Sequence, residues 1–195
     1  MNSMNNTTKQ KLGRALYTLL QEKQLNEINV ADITALCGLS RKTFYYYYQD
    51  VYSLVYGFIE DTFDRIASEE GYRFWPIFER LVRLVKENSE VVQNVYNSVD
   101  RELLYNFLHR TLSRYSVKVI RSEIGDGPYP EEDIALAGNM CLTAILSVFL
   151  QWIHFHLISD MEVEFTRHRD KLQGFSRVLL EQMRRNDTAG ETPEN

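Results

Sequence analysis

The chain has 195 residues, 44% of them hydrophobic and 12% aromatic, which is ample apolar mass for a packed core. Its formal net charge of −5 excludes a protein that coats nucleic acid by bulk charge, but leaves room for a local basic surface. The charge is uneven: residues 1–50 carry six basic against four acidic side chains, a balance of +2, and the remainder carries −7.

The start, MNSMNNTTKQ, has no apolar core of the kind a secretory signal needs. The most apolar run, Met140 to Ile153, is interrupted by Thr143, Ser147 and Gln151. It falls short of the ~20 residues that span a bilayer. The two cysteines, Cys37 and Cys141, sit inside apolar helical patterns, read as small buried side chains without metal or disulfide spacing. The expectation is a soluble cytoplasmic protein with no membrane partner.

Taken in chain order, the pattern is helical throughout and no strand alternation appears, so the expected class is all-α. Leu12, Ala15, Leu16, Leu19 and Leu20 form one apolar stripe at helical spacing. Ile33, Leu36 and Cys37 form a second, shorter one. A third helix starts near Ser40. A fourth runs from about Val51, with Leu54, Val55, Phe58, Ile59, Thr62, Phe63 and Ile66 on one side. Longer helices follow, expected over 74–87, 90–99, 101–123, 131–159 and 162–186. The clearest loop is GDGPYP at 125–130, whose glycines and prolines cannot continue a helix. Three parts are expected: a helix-turn-helix domain at 1–52, a helical regulatory and dimerisation domain at 53–186, and a disordered tail at 187–195.

Residues 28–54 read INVADITALCGLSRKTFYYYYQDVYSL. Asn29 is placed to cap one helix, with Asp32 three residues on as in a capping box. Gly38 follows the last apolar pair and supplies a left-handed turn at low cost. Leu39 can bury under that turn, Ser40 caps the next helix and Asp50 the one after. A helix of about eight residues, a short turn and a second short helix make helix-turn-helix spacing.

The second of these helices carries the chemistry. With Phe44 at zero and a step of about 100° per residue, Tyr48 returns to about 40°. Lys42 and Tyr46 fall near 160° and 200° on the same step, opposite the core. Five consecutive aromatics cannot all be buried on one helix, so some tyrosines face outward beside Arg41 and Lys42. Phenols donate to phosphate oxygens, rings touch thymine methyls, and Arg or Lys reaches guanine edges. These side chains suit double-stranded DNA.

The stretch resembles the DNA-binding domain of the TetR family of transcriptional regulators, through Val30, Ile33, Gly38, Leu39, Ser40, Thr43, Phe44, Tyr45, Tyr47, Tyr48 and Leu54. The match spans about a quarter of the chain. FYYYYQDVYSL and the later Gln151–Trp152 are also similar to regulators linked to dihydroxyacetone kinase. The resemblance implies a homodimer on a palindromic operator, usually repressing, released by a small-molecule effector. It implies a DNA-binding set of Asn29, Ser40, Arg41, Lys42, Thr43, Tyr45, Tyr46 and Tyr47. Of these, Asn29, Thr43 and Tyr45 would meet phosphates, and Arg41, Lys42 and Tyr46 would lie nearer the bases. Three positions depart from the family: Asn29 stands where Thr is usual, Lys42 where a small residue is frequent, and Val51 where a Lys is common.

By the same resemblance the last two long helices pair with their copies, with Ile145, Phe149, Phe175 and Leu179 as the dimerisation candidates. The helix expected at 131–159 is apolar over most of its circumference, so it needs cover on several sides. Large rings with polar tips suit a small-molecule cavity. Trp75, Phe78, Tyr96, Tyr105, His109 and Trp152 are the effector candidates on that ground.

His154 and His156 point about 200° apart on a helix, so they cannot chelate one ion together. No metal or cofactor is expected. GDG lacks the rest of a phosphate loop, and no GxSxG or HExxH motif appears, so an enzyme is not expected. The competing reading is a coactivator or adaptor whose C-terminal part binds a partner protein instead of a metabolite.

Overall fold

The computed structural model describes residues 2–125, 127–155 and 174–190, together with Leu157, Met161, Val163, Arg167 and Arg169. For 2–6 and 186–190 it describes the backbone alone. The described elements are α1 (Asn2–Leu20), a 3-10 turn (Leu25–Glu27), α2 (Val30–Cys37), α3 (Arg41–Tyr47), α4 (Val51–Glu69), α5 (Phe74–Glu87), α6 (Ser89–Tyr96), α7 (Arg101–Ile124), α8 (Glu131–His154) and α9 (Phe175–Gly190). No strand occurs among the described residues.

The chain divides into two compact units, Met1–Asp64 with Val85–Phe107, and Arg65–Leu84 with Leu108–Asn195. In the first unit the α1 stripe is buried as its spacing requires, with Leu12 at 0% exposure and Leu16 and Leu20 nearly so. α1 packs against α2 and α6. Two polar ties fix α6 on α1: the Tyr17 hydroxyl donates to Asn88 Oδ1 at 2.7 Å, and Asn94 Nδ2 donates to the Leu20 carbonyl at 2.9 Å. The second tie satisfies a carbonyl that the end of α1 leaves open. Phe58 of α4 lies against Gly13, where an added Cβ would sit 3.1 Å from the ring.

The second unit is built on α7, α8 and α9. Ile120, Ile134, Ala137 and Leu180 form its fully buried centre, with Val117, Ile124, Tyr129, Cys141, Leu179 and Met183 packed around them. α8 crosses α7 at Gly138, whose Cα approaches Ser116 so closely that an added Cβ would lie 3.0 Å from the serine Cβ. A small residue at that position is a packing requirement.

Several boundaries and faces differ from the sequence expectation. α8 ends at His154, not at 159, where Phe155 N–H bonds back to the Gln151 carbonyl. Of the helix expected at 162–186, the described continuous part is α9, which begins at Phe175 after Gly174 (φ 82°); most of 162–173 lies outside the described residues. α9 also continues to Gly190, past the expected start of the tail; 191–195 lie outside the described residues. Leu36 is 52% exposed and Phe58 47%, although their spacing placed both in apolar stripes. Cys37 and Cys141 are half-buried, not buried, and both are free thiols. The apolar stretch of α8 is also longer than read from sequence: an 18-residue window of this helix is apolar enough, by length and composition, to cross a membrane. Here one face of it is packed against α7 and α9.

Candidate nucleic-acid interface

The site grows out of a chain of local caps. Asn29 Oδ1 accepts from Ala31 N–H at 2.9 Å and Asp32 N–H at 3.0 Å, while Asp32 Oδ2 accepts from Asn29 N–H at 3.2 Å. This capping box starts α2 and satisfies amides that the helix cannot. Lys23 adds an ion pair to Asp32 at 3.0 Å. The Asn29 amide first, and Lys23 second, hold the Asp32 carboxyl below its ordinary value.

Gly38 ends α2 with φ 67°, a left-handed conformation that disfavours any side chain. Ser40 then caps α3, its Oγ accepting from Thr43 N–H at 3.0 Å and lying 2.8 Å from the Thr43 hydroxyl. Asp50 caps α4, accepting from Ser53 N–H at 2.7 Å. α2, a turn and α3 therefore follow in helix-turn-helix order, with α1 and α4 as supports.

α3 and its C-cap residue sort five aromatics by face. Phe44 is fully buried at 0% exposure, whereas Tyr46 is 76% and Tyr45 57% exposed. Arg41 and Lys42 are exposed as well. Tyr47 is half-buried and meets the Tyr46 ring edge-on at 4.8 Å, which steadies the exposed ring. Tyr48 stands just past the last helical residue, as the C-cap, with its ring 6.0 Å from Phe44. Burial, then the nearby Asp61, raise the Tyr48 phenol above its ordinary value. Thr43 is half-buried, and Asn29 and Ser40 are exposed.

The structure brings Asn29, Arg41 and Tyr45 to one concavity of about 480 Å³. Asn26, Gln49 and Tyr52 line it too, and sequence reasoning missed all three. They lie in the 3-10 turn, the α3–α4 link and the first turn of α4, where no periodic pattern marks them. Amides, a guanidinium and phenols are donors that fit a backbone phosphate. Asp50 also borders the concavity, but its carboxylate is engaged in the α4 cap.

The other candidates distribute over both units. Trp75, Phe78, His109 and Trp152 belong to the second unit, Tyr96 and Tyr105 to the first. Trp75 and Phe78 meet edge to face at 6.2 Å on α5. Trp152 packs on Phe149 at 5.7 Å, and His109 Nε2 lies 3.2 Å from the Thr143 hydroxyl. Tyr96 is buried beneath the Arg101 guanidinium, 3.5 Å from its ring centre, and Tyr105 is half-buried. Ile145, Phe149 and Leu179 are half-buried, while Phe175 is 55% exposed. His154 ends α8 and His156 lies outside the described residues. Among the described residues no three His, Cys, Asp or Glu side chains gather as a metal set.

Residues 74–161 match the family model described as the C-terminal region of a TetR-type transcriptional regulator. This region, a little under half of the chain, is similar to the C-terminal regions of TetR-type transcriptional regulators. The fold of the chain is similar to that of a solved structure, the dihydroxyacetone kinase operon activator DhaS, with a TM-score of 0.63. That likeness covers 91% of this chain and 96% of the other at 20% identity. Comparison with curated proteins returns no match. TetR-type proteins are regulators that bind DNA, and they are not enzymes.

Proposed function

We propose that this chain is a TetR-family transcriptional regulator, a homodimer that lays α3 in the major groove of each half of a palindromic operator. The observation that carries this reading is the outward face of α3, where Tyr45 and Tyr46 stand exposed opposite a fully buried Phe44. Asn29, Ser40, Thr43, Tyr45 and Tyr47 would meet phosphates, joined by Gln49 and Tyr52 at the concavity. Arg41, Lys42 and Tyr46 would read base edges. A head with a balance of only +2 binds weakly by itself, so two copies on one palindrome are part of the proposal.

The dimer face is assigned to α8 and α9. Leu136 (52%), Met140 (50%), Phe175 (55%) and Val178 (67%) all lie exposed on these helices. A second copy would cover them, with Ile145, Phe149 and Leu179 backing the surface from within. The protein would work in the cytoplasm, repressing until a small molecule enters among the rings of the second unit. The second reading is a coactivator or adaptor whose C-terminal part binds a partner protein; that the structurally similar DhaS is an operon activator favours activation over repression.

Operator binding by the purified protein, with and without metabolites, separates the two. Binding that a metabolite releases supports the repressor. Binding that needs a second protein and ignores metabolites supports the activator. Loss of neither on removing the α3 side chains would refute both.

A further inference from the structure

α9 has two jobs to reconcile. Leu180 is fully buried in the second unit's core, yet Phe175 and Val178 stay outside it. Apolar packing is non-directional, so a core of aliphatic side chains alone sets the rotation of a helix poorly. Hydrogen bonds are directional, and three of them tie the first seven residues of α9 to the corner between α7 and α8.

At the start of α9, the buried Ser176 hydroxyl donates to Glu123 Oε2 at 2.7 Å, and Arg177 reaches the Glu123 carbonyl at 3.3 Å. Further along, the Tyr129 hydroxyl donates to Glu181 Oε1 at 2.5 Å. Arg184 holds the other oxygen of Glu181 at 2.8 Å. Tyr129 itself is fixed by its ring, which packs on the core centre, and by Gly127, whose Cα it covers. Gly127 has no Cβ to displace it: one would fall 2.7 Å from the ring.

We infer that Tyr129, Glu181, Glu123 and Ser176 form a clasp that positions α9, and through it Phe175 and Val178, for pairing with a second copy of this chain. These are positioning residues, not contact residues of the interface. The inference rests on the dimer reading above. Rotating α9 by one residue, about 100°, would carry Phe175 and Val178 off the face they share.

The test uses the full chain and three variants: Tyr129→Phe, Ser176→Ala and Glu181→Gln. Sedimentation gives the dimer dissociation constant and thermal unfolding gives stability. Tyr129→Phe and Ser176→Ala are expected to weaken dimerisation about tenfold each, with a small change in melting temperature. Glu181→Gln keeps an oxygen that accepts from Tyr129 and should retain most of the dimer affinity. Variants that melt early but dimerise like wild type would overturn the clasp and leave the dimer reading standing. A wild type that stays monomeric at every concentration would overturn the dimer reading, and the clasp with it.

Discussion

The Tyr48 ring lies against the backbone of Gly57, so close that a Cβ added to Gly57 would sit 3.0 Å from the ring edge. Tyr48 is the C-cap of α3 and Gly57 is inside α4, so this contact sets how α3 leans on its support. Gly57→Ala therefore has two opposed effects. Alanine gains up to ~1 kcal/mol of helix propensity. The crowded ring costs ~1–3 kcal/mol or moves away. The melting temperature should change little, while operator affinity falls about tenfold as α3 tilts. An unchanged affinity would show that the ring yields without disturbing α3.

The register of α3 gives a contrast within one helix. Phe44→Ala removes a fully buried ring and should destabilise the first unit by ~3–5 kcal/mol in denaturant unfolding. Tyr46→Ala, two residues away and 76% exposed, should leave stability within ~0.5 kcal/mol and weaken DNA binding. Comparable unfolding losses in the two would put Tyr46 in the core and contradict the face assignment.

That register was legible because it depends on neighbours in sequence. The Asn29–Asp32 box, the Gly38 turn and the Ser40 and Asp50 caps are all local signals, and each forms where its residue type requires. What depends on distant partners was not legible. Glu123 finds Ser176 across 53 positions, and Tyr129 finds Glu181 across 52. Leu36 matched a stripe but is 52% exposed. α8 looked apolar all round, yet packing buries one face and leaves Leu136 and Met140 open. Gln49 and Tyr52 join the concavity only because the α3–α4 link turns them to Arg41 and Tyr45.

Tyr46 offers an exposed ring, and a thymine methyl is the base feature that an aromatic ring packs against. Replacing thymine by uracil in the operator removes that methyl and nothing else. Wild-type affinity should drop about three- to tenfold at the contacted positions, and Tyr46→Ala should not notice the change. Equal sensitivity in both proteins would place the methyl contact on another side chain.

The α2 cap should give the first unit a pH dependence at the acid end. Asp32 is held below its ordinary 3.8 by the Asn29 amide and then by Lys23. A carboxyl depressed in the folded state stabilises above its unfolded pKa, and that contribution is lost as pH falls through the lower, folded value. Stability should therefore fall as pH drops below about 4, and Asp32→Asn should remove that part of the fall. Parallel acid profiles for wild type and Asp32→Asn would deny the cap its role.

The central claim is that the exposed face of α3 reads a palindromic DNA sequence, and selection of duplexes from a random library by the full-length protein tests it most directly. The expected result is one enriched palindrome, bound with an affinity that falls steeply with salt through counterion release. The enrichment should vanish for the Lys42→Ala, Tyr46→Ala double variant. Recovery of no palindrome, or of the same palindrome by the double variant, would contradict the claim.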